Sequence, residues 1–152
     1  MSTVKPVPEG HHTATPYLVV DDAAGAIGFY ARAFGAQELY RMPGPDGRIM
    51  HAEIMVGDSP IMLCDPAPEM GAQSPRALKG SPVSVFLYVP DVDASFTRAT
   101  TAGATVKAPL MDMFWGDRYA SVEDPYGHTW QMATHVEDVA PDEMKRRMEQ
   151  AQ

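Results

Sequence analysis

One spacing constrains this chain more than any other feature. The segment Thr15-Pro16-Tyr17-Leu18-Val19-Val20 recurs as Ser84-Val85-Phe86-Leu87-Tyr88-Val89, 69 residues later. The same offset of 69 carries Ser59-Pro60-Ile61-Met62-Leu63 onto His128-Thr129-Trp130-Gln131-Met132. A single offset that serves both ends of a segment marks two copies of one supersecondary unit. Within the first copy, Thr15–Val20 reads as a β-branched and aromatic strand. Asp22 caps a helix over Ala23–Phe34, and Gly35 stands where a helix closes. Strands follow at Gln37–Met42, Arg48–Val56 and Pro60–Cys64, separated by Pro43-Gly44-Pro45-Asp46-Gly47 and Gly57-Asp58-Ser59, both turn sequences. The second copy repeats the order: a strand at Ser84–Val89, a helix at Val92–Thr101 and a strand broken by Pro109 into Thr105–Ala108 and Leu110–Trp115. Two more strands follow at Arg118–Glu123 and Thr129–Thr134.

The predicted class is therefore α+β: two tandem βαβββ modules forming curved mixed sheets around a crevice. The predicted organisation is a flexible N-terminal arm (1–14), a first module (15–64), a linker (65–82), a second module (83–135) and a charged C-terminal segment (136–152) helical over 141–150. One module covers only one face of its sheet. The two must therefore pair, either within a chain or across a dimer, and a homodimer is the expected assembly.

Composition narrows the function. Twelve basic residues against 20 acidic ones give a formal charge of −8, a poor match to a phosphate backbone, so no nucleic-acid partner is expected. No apolar run approaches the length of a membrane span, and Met1–His12 lacks the apolar core of a secretory signal. With one cysteine, Cys64, there is no disulfide framework. These features predict a cytoplasmic protein with no membrane partner. Cys64, beside Asp65, reads as a buried, inert thiol.

The stretch Trp115-Gly-Asp-Arg-Tyr-Ala-Ser-Val-Glu-Asp-Pro-Tyr-Gly-His-Thr-Trp130, together with the doubled module, resembles the vicinal oxygen chelate superfamily. That superfamily includes glyoxalase I, bleomycin-resistance proteins and extradiol dioxygenases, and the likeness is to its PhnB-like, glyoxalase-related branch. It spans roughly 14–135. The turn Asp124-Pro125-Tyr126-Gly127 is itself hairpin chemistry. In metal-dependent members the ion is held by His, Gln or Glu from the first and last strands of each module. Carried over, those positions are Thr15, Met62, Ser84 and Gln131. None is an imidazole or a carboxylate and Gln131 alone is a weak oxygen ligand, so no metal and no cofactor are expected.

Alternation from those positions turns Tyr17, Val19, Met62, Cys64, Phe86, Tyr88, Gln131 and Ala133 inward, and Trp130 outward to the core. His51 and Glu53 share one strand face and are the candidate acid–base pair. Met113 and Trp115 lie near the mouth. The expected ligand contacts are Tyr17, His51, Met62, Phe86, Tyr88, Met113, Trp115 and Gln131, around a small hydrophobic or aromatic molecule. Asp117 and Arg118 are open between a crevice position and a rim ion pair. Three functions remain at this stage: a metal-free binding protein of the bleomycin-resistance type; a metal-dependent lyase or dioxygenase with a displaced site at His51, Glu53 and Gln131; or a dimeric scaffold.

Overall fold

A computed structural model describes residues 3–152. The chain divides between Gly80 and Ser81 into two compact units. The first holds β1 (Tyr17–Val19), α1 (Ala23–Phe34), β2 (Gln37–Pro43), β3 (Ile49–Val56), β4 (Ser59–Cys64) and a short helix α2 (Pro75–Leu78). The second holds β5 (Ser84–Tyr88), α3 (Val92–Ala102), β6 (Thr105–Asp112), β7 (Asp117–Glu123), β8 (Thr129–His135) and α4 (Pro141–Gln150). Each unit has one four-stranded sheet, ordered β1-β4-β3-β2 and β5-β8-β7-β6. In each the first strand runs parallel to the last and the remaining pairs are antiparallel. The α+β class and the doubled βαβββ order are as the repeat predicts.

The repeat extends to register. Tyr17 faces Met62 across β1 and β4, and Phe86 faces Gln131 across β5 and β8, each residue 69 after its counterpart. In the third strands the offset is 68: Glu53 faces Met62, and Ser121 faces Gln131. His51 and Tyr119 are thus equivalent positions, as are Glu53 and Ser121.

In the first unit Leu18, Ala52, Ile54, Ile61 and Leu63 point to one face and are buried, with Ala26, Ile27, Tyr30 and Ala33 of α1 among the buried core. The core of the second unit holds Ala120, Val122, Trp130 and Met132, with Val92 and Ala99 from α3. Trp130 is fully buried, as expected, and its indole donates to Asp124 Oδ2 at 2.9 Å. Asp124 Oδ1 also accepts from the backbone of Tyr126 and His128, which closes the turn.

Helix starts are secured from the sheet. Asp65 Oδ1 accepts from Ala23 N at 2.9 Å, and Thr134 Oγ1 accepts from Val92 N at 2.8 Å. These two acceptors are also 69 residues apart. Each satisfies one of the backbone donors that a helix start leaves free, alongside the caps Asp22 and Asp91.

Three local expectations need correction. The first strand is shorter than Thr15–Val20: Thr15 and Pro16 precede it. Pro109 does not break β6, which runs through it as an edge strand with register shifts on either side of Ala108, the place where a missing N–H costs no ladder bond. Trp115 is not in that strand, because β6 ends at Asp112 and Met113–Gly116 form a turn closed by Gly116 N on Met113 O. Within 65–82, a 3₁₀ turn (Pro68–Met70) and an Ala67–Ala72 bridge give the segment local structure.

Candidate functional site

The face of each sheet turned away from its helix carries the candidate chemistry. In the first unit, β1 brings Tyr17, β3 brings His51 and Glu53, and β4 brings Met62 and Cys64 to that face. Tyr17 Oη lies 2.7 Å from His51 Nδ1. His51 Nε2 lies 3.3 Å from Glu53 Oε1, and His11 Nε2 lies 3.2 Å from Glu53 Oε2. Glu53 is only 7% exposed. A carboxylate so covered on a sheet needs donors, and the two imidazoles supply them. Tyr40 adds its ring 5.7 Å from that of His51. Beside this chain lies a cavity of about 490 Å³ lined by Tyr17, Ile49, Met50, Cys64, Pro66 and Met70, among others. Burial, first, then the neighbouring Cys64, Tyr40 and Glu53 push the Tyr17 phenol up to about 12. Burial also raises the Cys64 thiol, more than the nearby Tyr17 hydroxyl lowers it, so the thiol is protonated and unreactive near neutrality.

The second unit presents a different surface on the same scaffold. Phe86 is 41% and Tyr88 66% exposed. Their rings lie 5.0 Å apart, with Tyr119 at 6.1 Å from Phe86 and Trp115 at 6.4 Å from Tyr119. Gln131 Nε2 donates to Ser84 Oγ at 2.6 Å, and its Oε1 accepts from Tyr119 Oη at 2.7 Å. At one end, Asp117 is 2% exposed. Its Oδ2 accepts from Tyr88 Oη at 2.9 Å and Trp115 Nε1 at 3.1 Å, and its Oδ1 meets His135 Nδ1 at 2.8 Å. Burial pushes the Asp117 carboxyl upward, but the bonds from His135, Tyr88 and Trp115 outweigh it and hold the group below its ordinary value. Asp117 and Arg118 are not ion-paired to each other: Arg118 reaches outward to Asp93 and Asp112.

The sequence-predicted residues thus fall into two groups. Tyr17, His51, Glu53 and Met62 gather on the first unit; Phe86, Tyr88, Trp115 and Gln131 gather on the second. Met113 is half-buried in the turn before β7, and Met50 and Met111 are exposed. Thr15 lies outside the strands. Two participants, His11 and Tyr119, are missed by the sequence reading, and a third, Asp117, is left open by it. His11 was assigned to the arm, and nothing in its local sequence points to Glu53. Tyr119 was overlooked although it occupies the position equivalent to His51. Asp117 carries no local pattern that distinguishes it from the rim carboxylates.

The four positions that hold a metal in relatives do not fit one here. Two hydroxyls and a thioether are poor donors to a hard or borderline divalent ion. The Gln131 amide is committed at both ends, to Ser84 and to Tyr119. Among the described residues no group of three or more His, Cys, Asp or Glu is arranged to hold a metal ion. No helix among them is long and apolar enough to cross a membrane.

The family model of the Glyoxalase/Bleomycin resistance protein/Dioxygenase superfamily matches residues 10–132. The uncharacterized proteins Rv0887c of Mycobacterium tuberculosis (strain ATCC 25618 / H37Rv) and Mb0911c of Mycobacterium bovis are each 50% identical over 137 residues, 88% of this chain, and the match covers 81% and 90% of their lengths. Among solved structures, TioX from Micromonospora sp. ML1 is 31% identical, with a TM-score of 0.64 over 81% of this chain and 99% of that one. The fosfomycin resistance protein FosX from Listeria monocytogenes has a TM-score of 0.65 over 88% of this chain and 97% of its own, but at 15% identity the likeness is one of fold alone.

Proposed function

Because this chain belongs to the Glyoxalase/Bleomycin resistance protein/Dioxygenase superfamily, we propose that it is a small-molecule-binding protein of the metal-free, bleomycin-resistance kind. It holds an aromatic or hydrophobic compound by burial and stacking, and works as a homodimer. The observation that carries this reading is the open face of the second unit. There Phe86 and Tyr88 stand exposed beside Tyr119 and Trp115, around a Gln131–Ser84 pair whose amide and hydroxyl are bonded to each other, with neither imidazole nor carboxylate at the four family positions. Rings held in tilted and edge-to-face contact present both faces and edges to a flat guest, each contact contributing about 0.5–1.5 kcal/mol beyond area burial.

The test is calorimetric titration against a broad panel of planar aromatic antibiotics, followed in parallel by the emission of the two tryptophans, Trp115 and Trp130. At least one compound binds, and Phe86→Ala weakens it about 3- to 10-fold, as expected for one ring contact. A panel with no binder overturns the reading. Elemental analysis of untagged protein separates it from a metal-dependent lyase or dioxygenase: one equivalent of zinc, nickel, manganese or iron per chain overturns the metal-free part. For the assembly, exposed Leu39, Tyr40, Met42 and Met50 on β2 and β3 support an apolar interface. Sedimentation equilibrium at twice the chain mass of 16.6 kDa is the expected result.

A further inference from the structure

With Glu53 ionised and His51 neutral, the hydrogen-bonded chain on the first unit has one polarity. An ionised Glu53 only accepts. His51 Nε2 and His11 Nε2, at 3.3 and 3.2 Å, therefore carry their hydrogens toward it. A neutral His51 then offers Nδ1 as an acceptor. Tyr17, 2.7 Å away, must donate its hydroxyl hydrogen there. What remains at the Tyr17 oxygen is acceptor capacity, of which the Cys64 thiol, a weak donor, takes one lone pair and leaves the other. Tyr17 lines the cavity, and so does Cys64, whose thiol is the other neighbour of the Tyr17 hydroxyl.

The same wall has a charge preference. Asp46, Asp65 and Glu69 line the cavity against one guanidinium, Arg48, which is paired with Asp46 at 2.7 Å. A guest arriving as an anion meets repulsion; a neutral hydroxyl does not. The flanking Ile49, Met50, Pro66 and Met70 suit a flat apolar body. We propose that this cavity is a site for a planar aromatic molecule carrying a neutral hydroxyl, a phenol or enol, whose O–H donates to the Tyr17 oxygen. The assignment rests on the reading that the chain binds aromatic molecules and adds the chemical group it selects. The elements packed around Tyr17 contribute Tyr40 from β2, His51 and Glu53 from β3, Cys64 from β4 and His11 from the N-terminal segment. Of these, only His51 takes the Tyr17 hydrogen.

The probes are 7-hydroxycoumarin and its ether, 7-methoxycoumarin, titrated by fluorescence into the full chain. The hydroxyl compound binds about 10-fold more tightly, the worth of one well-placed hydrogen bond. Its ionisation, read from the excitation spectrum, moves to higher pH when bound. Tyr17→Phe, a change that keeps the ring, removes the 10-fold preference and leaves the methoxy compound within about 2-fold. His51→Leu is the sharper variant. It frees the Tyr17 hydrogen to point into the cavity, where the oxygen of either compound accepts it, so the preference for the hydroxyl compound falls toward parity. Circular dichroism confirms that both variants fold. Equal binding of the two coumarins by the native protein overturns the selected group while leaving aromatic binding standing. Ionisation of the bound probe at lower pH, or a His51→Leu variant with unchanged preference, also overturns it. If neither coumarin binds, this proposal fails and the aromatic reading is decided by the wider panel.

Discussion

At the scale of single residues, Asp117 and His135 make opposite demands on pH. Burial works against ionised Asp117, but its three donors win, so its folded value lies below the ordinary 3.8. That contribution is present above the unfolded value and is lost as pH falls through the lowered one. His135 is raised above its ordinary 6.5 by the bond to Asp138, then by that to Asp117. Its contribution is complete below 6.5 and is lost as pH rises through the raised value. Asp117→Asn removes a buried charged acceptor of three bonds and destabilises the fold by about 1–3 kcal/mol at pH 5–6. Thermal melts of variant and native protein across pH should show that gap closing in strong acid. It should narrow in mild alkali without vanishing, since the bonds from Tyr88 and Trp115 persist there. A gap that does not change with pH would mean that the charge on Asp117 is not what the three donors require.

At the scale of elements, turns and helix starts are where one atom decides a whole segment. Gly116 has φ of +101°, and a Cβ added there would sit 2.1 Å from the Glu137 carbonyl oxygen. The Gly116 carbonyl in turn accepts from Val136 and Glu137 N. The β6–β7 turn and the segment after β8 are therefore in backbone contact that only glycine permits. Gly116→Ala costs about 2 kcal/mol or more, and its melting temperature falls by about 4 °C or more. Asp65→Ala leaves Ala23 N and Ile49 N, bonded at 2.9 and 2.6 Å, without their acceptor. It costs about 1–3 kcal/mol in a denaturant titration, and Asp65→Asn costs less because an amide oxygen still serves one of the two.

Such elements also show what a sequence does and does not disclose. The offset of 69 located both sheets, because strand pairing must repeat when the strands do. Alternation placed His51 and Glu53 together and sent Trp130 into the core, because a period of two is a property of the backbone. The Asx turn at Asp124 was legible from four consecutive residues. The bond from His11 to Glu53 spans 42 positions, and the convergence of Tyr88, Trp115 and His135 on Asp117 joins three separate segments. Neither has a local pattern. Pro109 was misread for a related reason: a proline excludes a central strand, and only the sheet order reveals that β6 is an edge.

At the scale of the whole molecule, the division between Gly80 and Ser81 has a direct consequence. Residues 76–83 are all exposed, and Lys79 has φ of +61° at the end of α2. Limited trypsin digestion should cut first at Lys79 or Arg76, giving two fragments of about half the chain each on a denaturing gel. First cleavage at Arg41 in β2 or Arg118 in β7 would contradict the division.

The matched registers of the two sheets mean that one inherited backbone has carried two separate surface chemistries. Where one copy has imidazole, carboxylate and thioether at 51, 53 and 62, the other has phenol, hydroxyl and amide at 119, 121 and 131. Duplication releases each half from preserving what its twin already supplies. Exchanging those triplets between the halves would then be a graft rather than a lesion: the backbone slots are alike, and what should travel with the side chains is the preference for a guest.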